Sequence, residues 1–264
     1  MKKVVSVVVC IVLTVMCFYG CGKEKIASVN SKITNMPPFG QRYVTAFGDS
    51  IAAGYGLDDQ NNNYIALFSQ NIGAQYKNNA VSGYDSNDLL KQLKSGRYSK
   101  DIDNANIVIL SIGGNDILHQ KDLMLETIKN AYLHGGEYFT DELNQIYAEF
   151  ENNLRDSINL IKTRNPNASV IIQTIYNPAI KQGYYVSVIN VGKLADKYIQ
   201  KLNDSILSVC TGVNNVYIFD IVDKMNDDEN NFYNLEKDFD IHPTVTGHKT
   251  LSDIYTDNFN MLIS

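Results

Sequence analysis

From Arg42 onward, short apolar runs alternate with longer amphipathic ones, and this rhythm restricts the fold more than any other feature of the chain. Parallel strands joined by crossover helices produce it, because each strand is buried on both faces while each helix buries one stripe. Five strands are predicted, at residues 43–47, 74–77, Ile107–Ser111, 169–175 and Val216–Phe219. The second is the weakest; the fourth and fifth are rich in β-branched residues, which suit a doubly buried strand. Helical patterns fall at residues 64–72, 86–93, 141–165, 188–209 and 245–259. Asn165-Pro166 stops the longest of these, since a residue before proline is pushed out of the helical region. The expected architecture is α/β: a three-layer α/β/α sandwich around a five-stranded parallel sheet, with ligands at the carboxyl ends of the strands. A chain of 264 residues, 44% of them hydrophobic, can bury one such core, expected over residues 42–264.

Upstream, Met1-Lys2-Lys3 precedes an apolar run over residues 4–18, and Gly20-Cys21-Gly22-Lys23 follows. The run is shorter than the roughly 20 residues that span a bilayer, so residues 1–20 read as an export signal. A small residue before Cys21 resembles a bacterial lipobox, which makes Cys21 the expected lipid-attachment site. Phe18 and Tyr19 depart from the usual lipobox residues, and ordinary signal cleavage is the alternative. The protein is therefore expected on the outer face of a bacterial cell membrane, held by a lipid at Cys21, or else secreted. Residues 21–41 are polar, contain Pro37-Pro38, and are expected to form a tether. Cys10 and Cys17 would leave with the signal, so Cys210 has no disulfide partner; its apolar helical surroundings give it a structural role. A net charge of −6 without any Lys/Arg cluster excludes nucleic acid as a main ligand.

Directly after the first predicted strand stands Gly48-Asp49-Ser50-Ile51-Ala52-Ala53-Gly54-Tyr55-Gly56. A glycine turn here sets a serine at the start of a helical segment. Its hydroxyl then projects from the sheet edge, and its N–H lacks an intrahelical acceptor and can bind a developing oxyanion. Chance alone puts a given tripeptide such as Gly-Asp-Ser in roughly one chain in ten of this size, and a helix-capping loop uses the same residues. The companions carry the argument. Asn78-Asn79-Ala80-Val81-Ser82-Gly83 follows the second strand, where a glycine lets a backbone N–H approach a reacting carbonyl oxygen. Gly113-Gly114-Asn115-Asp116 follows the third and offers a side-chain amide as a further donor. Asp240-Ile241-His242-Pro243 precedes the last helix and supplies an imidazole, the usual base for a serine hydroxyl.

In order and spacing these four blocks resemble those of the SGNH, or GDSL, hydrolases, and the resemblance spans about residues 43–259. It implies a flavodoxin-like fold with Ser50 as nucleophile and His242 as general base. The oxyanion hole would be built from the N–H groups of Ser50 and Gly83 and the side chain of Asn115. The stretch through Tyr55 is similar to bacterial lysophospholipase and thioesterase members, so an acyl ester is the implied substrate, with no cofactor and no metal. Alternatives are removal of O-acetyl groups from surface polysaccharide or peptidoglycan, and a surface lipoprotein that keeps the scaffold for binding. The family usually carries its aspartate three residues before the histidine, which here is Phe239. Asp240 is favoured as the third catalytic residue, with Asp238 or a backbone carbonyl as alternatives.

His248 is expected on the surface or as a cap in the helix after His242, and His119 and His134 carry no metal-ligand spacing. Residues 117–140 and 177–186 follow strand ends and are expected to select the substrate. Tyr132, Tyr138, Phe139, Tyr184 and Tyr185 are candidates to line an acyl or sugar groove. A monomer is expected.

Overall fold

The computed structural model describes residues 32–134, 140–180, 185–186, 189–226, 232–234 and 240–264. Cys21 and the signal segment, Asp238, Phe239, Tyr138, Phe139 and Tyr184 lie outside the described residues, as do the side chains of Tyr132, His134 and Tyr185.

Five strands form one parallel sheet: β1 (Arg42–Gly48), β2 (Ala74–Asn78), β3 (Ile107–Ser111), β4 (Ser169–Gln173) and β5 (Val216–Phe219). Their spatial order is β2-β1-β3-β4-β5, so growth of the sheet reverses between β1 and β3, where an open α/β sheet leaves a crevice at its carboxyl edge. Every residue of β3 and β4 is buried, which matches their unbroken apolar sequences. Lys77 and Tyr76 of β2 are exposed because that strand forms an edge, and its sequence is correspondingly the least strand-like of the five.

Successive strand residues point to opposite faces, and each face has its own core. Val108, Leu110, Val170 and Ile172 pack with α3 (Ser86–Lys94), α7 (Asp141–Arg164) and α8 (Val191–Cys210) through Leu89, Leu154, Ile158 and Leu202. Ile107, Ile109, Ile171 and Val44 pack on the other side with α2 (Tyr64–Asn71) and α10 (Val245–Ile263) through Phe68, Tyr255 and Phe259. The three-layer sandwich follows. Cys210 is buried in the first core, and burial pushes its thiol up to about 12.

Several boundaries differ from the sequence reading for local reasons. β4 ends at Gln173: Thr174 N–H still donates to Phe219 O at 3.0 Å, but Ile175 N–H turns away to Asn203 Oδ1 at 2.7 Å. α8 starts at Val191, since Ile189–Asn190 pairs antiparallel with Tyr185–Val186. The region after β3 is more helical than expected, with α5 (Gly114–Leu118) and α6 (Lys121–His134), and α4 (Ser99–Asn104) precedes β3. Residues 32–41, assigned from sequence to the tether, run along the domain. Ile33 N–H donates to Leu262 O at 2.9 Å, Gly40 N–H to Gly73 O at 2.8 Å, and Arg42 Nε to Pro37 O at 2.7 Å.

Candidate active site

β1 delivers the first component. Gly48 pairs with Ser111 across the sheet, and a Cβ there would lie 2.2 Å from the Ser111 carbonyl oxygen, so only glycine fits this turn. Asp49 then caps α1 (Ser50–Ala53) by accepting Ile51 N–H at 3.0 Å, and Ser50 opens the helix. The end of this short helix is pinned from two sides, because Asn63 and Asn78 both donate to Ala52 O, at 2.8 and 2.7 Å. Asp49 itself is buried, which raises its carboxyl to about 7, with repulsion from Asp116 acting in the same direction.

The loops after β2 and β3 arrive beside it and are tied together. Val81 N–H donates to Gly48 O at 3.0 Å, which holds the Gly83 loop on the end of β1. Gly83 has φ +85° and no atom within 4 Å of the place a Cβ would occupy, leaving its backbone open to a ligand. Asn115 Nδ2 donates to Tyr84 O at 2.8 Å. An amide nitrogen carries two hydrogens, so this bond fixes the group while leaving one N–H for another acceptor. Asp116 reinforces the junction by accepting Ser86 N–H at 3.0 Å and Ser86 Oγ–H at 2.5 Å. Burial raises its carboxyl to about 6 despite those bonds.

The third component comes from the short strand Asp240–Pro243, which pairs antiparallel with Tyr233–Asn234 ahead of α10. His242 Nε2 lies 2.9 Å from Ser50 Oγ, and His242 Nδ1 lies 2.5 Å from Asp240 Oδ1. A carboxylate accepts only, so Nδ1 carries the proton and Nε2 faces the hydroxyl with its lone pair. Asp240 Oδ1 also accepts the His242 backbone N–H at 3.0 Å. That double contact shows how an aspartate two residues before the histidine reaches the ring: its side chain folds back over a tight turn. Serine, imidazole and carboxylate thus form one line, and the chain can move a proton along its Ser50–His242 half.

Two neighbours of His242 were not found from sequence. The Tyr55 ring sits against the imidazole with centroids 4.5 Å apart, and it is 55% exposed on the open side. His248 is fully buried, correcting its expected surface or capping place. It stacks on Tyr64 at 5.8 Å, and its Nδ1 accepts Tyr64 N–H at 3.3 Å. Burial, aided by His242, lowers His248 to about 4. The spacing of His248, Leu251, Tyr255, Phe259 and Leu262 at three and four residues is the signal that it lies on the inward stripe.

The sequence profile of the GDSL-like Lipase/Acylhydrolase family matches residues 46–250. Uncharacterized protein YpmR of Bacillus subtilis (strain 168) is 24% identical over 221 residues, covering 79% of this chain and 78% of that protein. The crystal structure of the lipase Lip_vut3 from a goat rumen metagenome is similar with a TM-score of 0.62 and 18% identity, over 81% of this chain and 95% of that one. An extracellular lipase from Streptomyces rimosus is similar with a TM-score of 0.59 and 18% identity, over 84% of this chain and 99% of that one. At such identities the structural likeness speaks for the fold. Because the family profile covers most of the chain and takes in Ser50, Gly83, Asn115 and His242, this protein belongs to the GDSL-like lipase/acylhydrolase family of ester hydrolases.

Proposed function

We propose that the protein hydrolyses carboxylic esters through an acyl-Ser50 intermediate. The observation that carries this reading is the line of contacts from Asp240 through His242 to Ser50 Oγ, at 2.5 and 2.9 Å. His242 Nε2 takes the hydroxyl proton as Ser50 Oγ attacks the ester carbonyl carbon. Asp240 holds the imidazole in the right tautomer and stabilises the imidazolium. The negative charge that develops on the carbonyl oxygen is met by the N–H groups of Ser50 and Gly83 and the free N–H of Asn115. Collapse breaks the bond to the alcohol oxygen, which leaves with the proton from His242. Water, deprotonated by the same imidazole, then releases the carboxylic acid and restores Ser50.

Esters outside the cytoplasm, lysophospholipids and other short-to-medium acyl esters among them, are the proposed substrates. The export signal and Cys21 motif support this placement, with the protein acting as a lipid-anchored monomer at the outer membrane face. The chemistry uses side chains and backbone alone. A fluorophosphonate probe tests the core of the proposal. Labelling of wild type at Ser50, lost in Ser50→Ala and strongly reduced in His242→Ala, is the expected result. An unlabelled wild type, or undiminished turnover in His242→Ala, would overturn it.

A further inference from the structure

A cavity of about 380 Å³ lies beneath the carboxyl ends of β3 and β4, walled by α5, α6 and α8. Its position is set by the catalytic residues' own neighbours. Asp49 and Ile51 flank Ser50, Gly114 adjoins Asn115, Ile241 adjoins His242, and all four line the cavity. The rest of the wall is mainly hydrocarbon, including Ile117, Ile175, Leu194 and Leu202. An apolar cavity of roughly 150 Å³ is enough to stay dry and take up benzene, so this one has room for a considerably longer hydrocarbon.

Three polar side chains in the wall are already engaged with the protein, and the cationic Lys121 of the lining is exposed. Gln173 Oε1 accepts the Tyr255 hydroxyl at 2.8 Å, Tyr176 donates to Ile241 O at 3.0 Å, and Asn177 Nδ2 donates to Gly192 O at 2.8 Å. A sugar or headgroup inside would have to give up water without equivalent partners, which is costly, whereas an alkyl chain gains by entering. Leu118 and Leu125, 49% and 63% exposed, extend the apolar lining outward. On the other side of the reacting centre, His242 is covered by the exposed Tyr55, and the leaving alcohol must depart next to the imidazole that protonates it.

We propose that this cavity holds the acyl chain of the ester, with the alcohol portion on the solvent side beside Tyr55, so that the preferred substrates carry an unbranched acyl chain well longer than acetyl. The proposal rests on the hydrolase reading and assigns its substrate class. It also gives the acyl-enzyme a working geometry: the chain stays anchored after the alcohol departs, while water enters from the open side.

Two series of esters, used below the concentrations at which they aggregate, test it. In the first, p-nitrophenyl esters run from acetyl to decanoyl. In the second, acetate esters carry alcohols of increasing alkyl length. One methylene leaving water is worth about fourfold in an equilibrium, so kcat/KM should climb by up to that factor per acyl carbon until the cavity is full. The alcohol series should stay nearly flat. Ala195→Phe on α8 and Ala179→Phe on the loop after β4 put bulk into the cavity from two elements of its wall. Each should cut the decanoyl-to-acetyl ratio at least tenfold; if one variant fails to fold, the other reads the same ratio. A flat acyl profile in wild type, a rise confined to the alcohol series, or filled variants that keep the wild-type ratio would overturn the assignment. A wild type that hydrolyses acetyl esters with a flat profile loses only the cavity assignment, whereas one inactive on every ester loses the hydrolase reading itself.

Discussion

Asp240 binds the ring of His242 and the backbone N–H of the same residue with one oxygen, so its charge and its place in the turn can be separated by substitution. Asp240→Asn keeps the turn but lets an amide compete for the imidazole tautomer. We expect kcat on an acetyl ester to fall by roughly 10²- to 10⁴-fold with KM little changed, read by steady-state kinetics. An unaffected kcat would move the supporting role away from this carboxylate. His248 gives a second prediction. Its folded value of about 4 lies below the ordinary 6.5, so between these pH values the unfolded chain binds a proton that the folded chain refuses. Its contribution to stability is complete above pH 6.5 and lost on acidification toward pH 4, by about 3 kcal/mol. Asp49 and Asp116, both raised, act in the opposite sense, because the folded chain holds protons there that the unfolded one releases. The useful measurement is therefore a difference. The stability advantage of wild type over His248→Gln in urea titrations should shrink from pH 7 to pH 4, and a constant difference would show that the imidazole does not titrate as described. Ser50, Gly83, Asn115 and His242 were legible as motif residues. The choice of Asp240 was left open because it depends on a turn geometry that residue spacing alone does not fix.

At the level of elements, the strands were easier to read than the helices. β3 and β5 match the sequence reading residue for residue, because burial on both faces demands unbroken apolar runs. The end of β4 was misplaced where Asn203 draws Ile175 aside, and the start of α8 where Ile189–Asn190 pairs with Tyr185–Val186, contacts that leave no local pattern. The short helices α4 and α5 were missed because six and five residues carry too few turns for a periodic stripe. The junction of β1 with α1 is an unforgiving joint. Gly48→Ala sets a methyl against the Ser111 carbonyl and should lower stability by about 2 to 3 kcal/mol, seen as a reduced urea midpoint. Any activity that survives should fall further than stability does, since Ser50 is displaced with the turn.

Across the whole molecule, the catalytic groups collect at the carboxyl ends of the strands, while residues 32–41 lie at the other end. There Gly40 bonds Gly73 just ahead of β2, and Ile33 bonds Leu262 near the end of α10. The seven residues of β1 separate the two ends by roughly 20 Å. A folded partner fused upstream of Lys32 should therefore leave kcat/KM on a small ester within about twofold of the unfused protein, as only remote surface is covered. A loss beyond tenfold would mean that the amino-terminal segment reaches the reactive edge. The same arrangement gives the molecule a direction. The described part of the chain enters from the rear of the sheet, so the strand ends that carry Ser50 and His242 stay uncovered by it.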